Sequence, residues 1–430
     1  MRNTGGYFCA FLMLGLLSVE QAHAATKVKN FNTEFQPGEL IVKFSPHFES
    51  ATAAKIIAEH GGKIVRQFRA SGALHVSFGN KSIQSTMNTA ESLAAIDDIE
   101  YVEANSMFRL ENSPNDPNLG SLWGMTKIKA ERAWEISTGD RSVLVGVIDT
   151  GVDYNHPDLR ANYWFNPGET GLDANGVDKR TNRIDDDSNG YIDDFRGWDF
   201  ANNDNDPMDD NNHGTHCAGT IGGVGDNGVG VAGVNWQVGI VGLKFISASG
   251  SGTNAAAIAA IEYATKIGVN LTSNSWGGGG TSEPMRLAIK EAADAGILFI
   301  AAAGNSTANN DTRPNFPSNF DVANVIAVAA TDQNDRLASF SSYGLRTVDL
   351  AAPGVGIYST TRNNRYASLS GTSMATPHVA GAVALMMSVH REMSMEQIKA
   401  KLFRSIDPVP SLATRVATGG RLNLEKALQP

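Results

Sequence analysis

The sequence predicts an α/β protein: a parallel sheet flanked by helices, preceded by a small α+β unit. Three observations carry this. From about Leu122 onward, short and wholly apolar runs recur: "VLVGVI", "VGIVGLKF", "VNLTSNS", "ILFIAAAG" and "VIAVAA". Runs of that kind are strands buried on both faces. Helical stretches, "TNAAAIAAIEYATKIG" and "PMRLAIKEAADAG", lie between some of them, and alternating strand and helix gives parallel pairing. Before Leu122 the segments are shorter and mixed, as in a separate α+β unit.

The elements follow in order. "MRNTGGYFCAFLMLGLLSVEQAHA" has a positive Arg2, an apolar run from Tyr7 to Val19 and the small-x-small triplet Ala22-His23-Ala24. That is a secretory signal peptide over 1–24, too short in its apolar run for a membrane span. No later segment is apolar for long enough to cross a bilayer. Next, "GELIVKF" reads as a strand, "ESATAAKIIAEHG" as a helix with a glycine stop, "ALHVSF" as a strand, "MNTAESLAAID" as a helix and "IEYVEANSMFRL" as a strand. "ENSPNDPNLG" is a linker. The domain reading is therefore 26–111 for the small unit and 112–430 for the sheet domain.

Composition narrows the function. The 430 residues, 42% hydrophobic and 19% charged, suffice for a large core or two domains. A net charge of -10 argues against a nucleic-acid partner. Two cysteines give no disulfide framework, and Cys9 leaves with the signal peptide. The remaining Cys217 reads as a buried small side chain rather than a nucleophile.

In a parallel sheet the site lies beyond the carboxyl ends of the strands. Asp149 closes "VLVGVID", His213 opens the small-residue stretch "HGTHCAGT", and Ser373 opens "GTSMATPHVAG". An acid, a base and a hydroxyl are the parts of a nucleophilic hydrolase. At a helix start the Ser373 N–H has no helical acceptor and can face an oxyanion. Pro377 is expected near the first turn, where proline costs least. The plain alternatives are a helix-capping serine and a structural histidine, the latter the expected role of His216. The Asn305-Ser306-Thr307 sequon is set aside, because a glycan there would block the cleft.

The blocks "DTGVDYNHPDL", "HGTHCAGT", "AAAGNS" and "GTSMATPHVAG" resemble the subtilisin-like serine proteases, and "NDP", "DFANND" and Cys217 resemble their thermitase branch. The likeness spans roughly Asn115 to the C-terminus. It implies that Asp149 orients His213, that His213 is the base, that Ser373 is the nucleophile and that Asn305 donates to the oxyanion. It implies that Ser275, Trp276 and Gly277 pair with an extended polypeptide, and that Ala302, Ala303 and Gly304 line a pocket for a large apolar side chain. The N-terminal unit resembles the inhibitory pro-domain of these enzymes, with a cut near Glu111.

One segment stands apart. Residues 173–210 hold twelve Asp against four Lys or Arg, a net of -8. Asp185-x-Asp187-x-Asn189-Gly190 reads as the start of an EF-hand-type calcium loop. Arg196 occupies the twelfth position where a glutamate is expected, so Asp194 is expected to close the site, with Tyr191 contributing. The likeness implies two more calcium sites: Asp116, Asp158 and Asn227 with carbonyls of Val229 and Val231, and Asp199, Asp204 and Asp206. The expectation is an exported, monomeric, calcium-stabilised endopeptidase, extracellular or periplasmic, made as a zymogen. An inactive peptide-binding relative and a calcium-dependent structural protein remain as alternatives.

Overall fold

The computed structural model describes residues 27–31, 35–79, 81–107 and 113–429. The expected signal peptide and the expected cut near Leu110 and Glu111 lie outside these. The chain divides into two compact units, Met1–Leu110 and Glu111–Pro430.

The first unit has strands β1 (Val28–Lys29), β2 (Phe35–Phe44), β3 (Lys63–Gln67), β4 (Leu74–Ser77) and β5 (Ile99–Ser106), with helices α1 (Ser50–Glu59) and α2 (Ile83–Ala94). The sheet order is β1-β5-β2-β4-β3, antiparallel except for β1 on β5. Leu40, Val42, Ile57, Val76, Leu93 and Val102 form its core. β3 was missed in the sequence because four of its five residues face solvent, which leaves no apolar alternation to read.

The second unit carries α3 (Trp123–Lys127), α4 (Ala130–Trp134), β6 (Gly139–Asp149), β7 (Gly197–Asp199), α5 (His213–Gly222), β8 (Gln237–Lys244), α6 (Asn254–Ile267), β9 (Leu271–Asn274), α7 (Glu283–Asp294), β10 (Leu298–Ala302) and β11 (Val325–Thr331). β12 (Leu350–Pro353), β13 (Ile357–Thr361), β14 (Arg365–Leu369), α8 (Thr372–Val389), α9 (Met395–Arg404), β15 (Asp407–Pro408), β16 (Gly420–Arg421) and α10 (Leu424–Leu428) follow. Nine strands run in the order β15-β16-β12-β11-β10-β9-β6-β8-β7. All pair parallel except β15 on β16; β13 and β14 form a separate hairpin.

Side chains alternate across the strands. Val145, Val147, Leu298, Ile300 and Val328 pack one face against α5 and α8. Ile148, Val241, Phe299 and Ala301 pack the other against α6 and α7. The layers are therefore helix, sheet, helix. Thr253 caps α6 by accepting from Ala256 N, and left-handed Gly268 ends it. Among the described residues, no helix is long and apolar enough to cross a membrane.

Helix α8 runs through the core, and its Gly381 faces Val234. A methyl added at Gly381 would lie 2.7 Å from Val234 Cβ. Alanine is favoured over glycine by up to about 1 kcal/mol in a helix interior, but overpacking a filled core costs about 1–3 kcal/mol. Gly381→Ala should therefore lower the denaturant midpoint. A raised midpoint would show that Val234 can move aside.

Candidate active site

Three sheet or helix ends meet at the carboxyl edge. Asp149, the last residue of β6, is fully buried. Its Oδ1 lies 2.8 Å and its Oδ2 3.0 Å from His213 Nδ1. Oδ1 also accepts from Thr150 N at 2.7 Å. That contact puts the proton of a neutral His213 on Nδ1 and leaves Nε2 free to accept. Burial works against a charged His213, but the Asp149 carboxylate more than offsets it and Asp209 adds, so its pKa is raised.

Ser373 is the second residue of α8, so its N–H points out of the helix start. Asn305 Oδ1 accepts from Thr372 N at 2.9 Å and from Thr372 Oγ1 at 3.0 Å. This pins the amide with Nδ2 facing the other way. An imagined methyl on Gly371 would sit 3.5 Å from Ser373 N and 3.6 Å from Asn305 Nδ2. The missing side chain thus leaves room for an atom between two donors, the geometry an oxyanion needs.

Pro377 is the sixth residue of α8, not in the first turn as the sequence reading placed it. Proline has no N–H, so the Ser373 carbonyl loses its helical donor. Ser275 Oγ supplies one at 2.9 Å, and Cys217 Sγ lies 3.5 Å away. In return Ser373 Oγ donates to Ser275 O at 2.9 Å. Among the described residues Ser373 makes no hydrogen bond to His213, so its hydroxyl must turn from Ser275 to meet a base. Cys217 is fully buried. Burial, with Asp149 adding, pushes its thiol well above the usual range, which suits an inert side chain.

Two groups here went unread in the sequence. Asp209 is fully buried and accepts from Thr150 Oγ1, Asn211 N and Asn212 N on Oδ1, and from Thr215 N and Thr215 Oγ1 on Oδ2. It ties the end of β6 to the start of α5. Its signal in sequence is only its place four residues before His213. The other is the Gly250–Gly252 turn. Together with Phe245, Trp276, Met285 and Phe316 it lines a cavity of about 390 Å³. Gly277 lines it as well. Ala302 is buried beside Asn315, whose Nδ2 lies 3.4 Å from Ala302 O. A methyl at Gly304, where φ is 103°, would reach within 3.1 Å of Asn315 Cγ. Ala303 turns its methyl into a cluster with Ala329, Val348 and Val416, so only its backbone borders the cleft.

The acidic groups separate into three places. Asp116 Oδ2 accepts from Asp226 N at 2.7 Å, while Oδ1 is buried without a partner. Asp158, fully buried, accepts from Asn227 Nδ2 at 2.9 Å and Val231 N at 2.7 Å, and Asn227 Oδ1 accepts from Val229 N at 2.7 Å. Burial, with Asp116 adding, pushes Asp158 up to about 6. Asp199, Asp204 and Asp206 share one turn, but their oxygens do not converge as a trio among the described residues. The reason is local: Asp199 is closed by Ala201 N, Asn202 N and the Asn202 amide, and Asp206 by Tyr154 and Met208 N. In the 185–194 loop, Asp185 accepts from Asn189 N and Gly190 N, and Asn189 Oδ1 from Tyr191 N. Arg196 stacks on Tyr154 and Phe195.

The comparisons with known proteins agree with this architecture. The sequence model of the subtilase family matches residues 140–424, and that of the fervidolysin N-terminal prodomain matches residues 21–105. Thermitase of Thermoactinomyces vulgaris is 39% identical over 318 residues, 74% of this chain and 99% of that protein. The thermophilic serine proteinase of Bacillus sp. (strain AK1) is 34% identical over 392 residues, 91% of this chain and 87% of that one. A crystal structure of a cold adapted subtilisin-like serine proteinase matches with a TM-score of 0.53 and 32% identity, over 67% of this chain and 90% of its own. Fold and matches together define a serine endopeptidase with an N-terminal prodomain. The chain belongs to the subtilase family.

The other two histidines near the site are held neutral. His216 places Nε2 2.9 Å from Ile357 O, and His378 Nδ1 lies 2.8 Å from Met374 O. Burial pulls both from 6.5 down to about 4. Between those values the unfolded chain binds more protons than the folded one, so stability is full above pH 6.5 and is lost as pH falls toward 4. Each contributes a slope of about 1.4 kcal/mol per pH unit inside the window. His213, with its raised pKa, acts outside this window: its contribution is fully present below pH 6.5 and is lost as pH rises above it. At saturating calcium the melting temperature of an inactive variant should fall between pH 6.5 and 4. A flat profile would mean that both imidazoles are charged in the fold.

Proposed function

We propose that the chain is an exported, monomeric, calcium-stabilised endopeptidase, made as a self-processing zymogen, that cleaves polypeptides through an acyl-enzyme on Ser373. The observation that carries the reading is the convergence of Asp149 on His213 at 2.8 Å beside a helix start where Ser373 N–H and Asn305 Nδ2 flank one open position. His213 Nε2 takes the Ser373 proton as Oγ adds to the substrate carbonyl. The developing oxyanion faces Ser373 N–H and Asn305 Nδ2, which are already oriented. His213 then gives its proton to the leaving amine, and water repeats the addition on the acyl-enzyme. Asp149 steadies the imidazolium throughout.

The substrate would lie extended between Ser275–Gly277 and the Gly250–Gly252 turn, held by main-chain hydrogen bonds as an added strand. The cavity walled by Phe245, Trp276, Met285 and Phe316 suits an apolar side chain of that strand. The N-terminal unit would act as the inhibitor, a reading supported by its match to the fervidolysin N-terminal prodomain. Export is supported by the residue pattern of 1–24.

The residues fit calcium as a structural ion. The unpartnered Asp116 Oδ1 and the raised Asp158 are two buried oxygen groups without a cation of the chain's own. Asp116, Asp158 and Asn227, with carbonyls of Val229 and Val231, would hold it. Its contribution there is charge neutralisation, away from the reacting atoms.

Two variants test the reading. Ser373→Ala should abolish peptide hydrolysis and leave the purified precursor uncut in the 108–112 region, because one nucleophile serves both reactions. Maturation of that variant on its own would remove Ser373 from the role. Asn305→Ala should keep KM nearly constant and lower kcat about 10²–10³-fold, some 2.7–4 kcal/mol, a magnitude that comes from subtilisin itself. An unchanged kcat would move the oxyanion elsewhere.

A further inference from the structure

The end of α8 and the start of α9 gather sulfur around one imidazole. Four of the chain's twelve methionines fall in Met386–Met395. Three of them, Met387, Met393 and Met395, line one cavity of about 280 Å³ together with His390. The spacing Met387-x-x-His390-x-x-Met393-x-Met395 puts Met387 and His390 one helical turn apart, on the same side of the chain. None of these residues belongs to the Asp149–His213–Ser373 site.

The frame that carries them is fixed. His390 N donates to Met386 O at 2.8 Å, and Met393 N donates to His390 O at 3.1 Å, so the chain folds back directly after α8. Ser394 Oγ accepts from Gln397 N, and Gln397 Oε1 accepts from Ser394 N. This reciprocal cap makes Met395 the first residue of α9. Between the two helices, Arg391 is paired with Asp140. Met395 is buried, and Met387 and Met393 are partly buried against the same core. His390 Nε2 is buried with no hydrogen-bond partner. Burial lowers the ring's pKa and Lys401 adds, against smaller raising contributions from Glu392 and the Ala427 backbone. The imidazole is therefore neutral near pH 7 and can offer a lone pair.

Methionines ordinarily gather to fill gaps in a core. Two observations separate this group from that case. Its members border an open cavity instead of closing it, and they share the cavity with an imidazole whose buried nitrogen is unpartnered, which is costly to keep. Thioethers and a neutral imidazole are soft, uncharged donors, a set that selects copper(I) over the hard divalent cations. Among the described residues no carboxylate lines the cavity, and the Arg391 guanidinium does, so a singly charged ion meets less repulsion there than a doubly charged one. We infer that Met387, His390, Met393 and Met395 form a copper(I) site that bridges α8 and α9. The unbranched, freely rotating methionine side chains let the sulfurs swing onto an ion held by the imidazole.

The test uses the full chain carrying Ser373→Ala, which cannot digest itself. It is titrated with copper(I), kept reduced by ascorbate in the absence of oxygen, against bicinchoninate as a coloured competitor. Cys9 and Cys217 are present in every protein compared, so the reading is the difference between variants. Leucine keeps the bulk and apolarity of methionine and removes the sulfur. Met387→Leu and Met393→Leu should each weaken copper(I) binding by at least the about 10–100-fold that losing an outer partner costs a metal site, and His390→Gln should do likewise. The two leucine variants should melt nearly as the parent does without metal and lose part of the copper-induced rise. Met386→Leu, at the neighbouring fully buried methionine that does not line the cavity, should bind copper(I) as the parent does. Zinc(II) in excess should not displace the copper(I). Unchanged affinity in Met387→Leu, Met393→Leu or His390→Gln would overturn the site as assigned and return the group to core packing. Equal weakening by Met386→Leu would also overturn it, because the effect would then follow loosened packing instead of lost ligands.

Discussion

The site depends on one reciprocal pair, Ser275 with Ser373. Each hydroxyl donates to the other's carbonyl at 2.9 Å. Pro377 creates the need for it by removing the N–H that would otherwise reach the Ser373 carbonyl. A proline inside a helix costs about 3 kcal/mol, and a buried unpaired carbonyl about 1–3 kcal/mol. Docking α8 on the end of β9 is what satisfies that carbonyl. β9 is in turn registered on β6, with Val147 opposite Ser273, and β6 ends two residues later at Asp149. Nucleophile and acid are thus indexed on adjacent strands of one sheet, although they lie far apart in sequence.

Buried charge at this edge of the sheet is handled in three physically different ways. Asp149 faces an imidazole that can become a cation, so its charge is available to the chemistry. Asp209 has five N–H and O–H donors on two oxygens, which makes it a rigid brace between β6 and α5 and contributes a raising field at His213. Glu169 has one donor and one unpartnered oxygen. Burial pushes it up to about 7, with Asp194 and Asp187 adding. The same side-chain chemistry thus meets three different donor environments.

Much of this was legible in the sequence, and what was missed has physical reasons. The central strands announced themselves as apolar runs because both faces are covered. β7, β12, β15 and β16 did not, since they are only two to four residues long and give no period to read. Asp149 was readable because it ends an apolar run, and Ser373 because it opens a helix. The position of Pro377 was misread because the helix begins earlier than its proline suggests. Ala303 was assigned to the cleft by its neighbours, but its methyl packs instead with Ala329, Val348 and Val416. Glu169 was invisible because a group sixteen residues before the loop has no local spacing to betray its place beside Asp187 and Asp194.

The insert also shows how a large acidic loop can sit between two reacting residues without loosening them. His213 follows Asp149 by 64 residues, and the closure entropy of such a loop rises slowly, by about 0.6 kcal/mol per doubling of length. Length is therefore a small burden, provided the base is pinned. Val152 N donates to Pro207 O at 3.1 Å, and a methyl on Gly151, where φ is 102°, would collide with that oxygen. Buried Lys244 holds Thr150 O, Ile246 O and Asp210 Oδ1 at 2.7–3.0 Å. With Asp209 these contacts clamp both ends of the insert onto β6, β8 and α5. Leu172, Ile184 and Ile192, about half exposed or more, lie beyond the clamp. These contacts separate the exposed part of the insert from the Asp149–His213 contact by a layer of short hydrogen bonds, so the triad geometry stays fixed by the sheet.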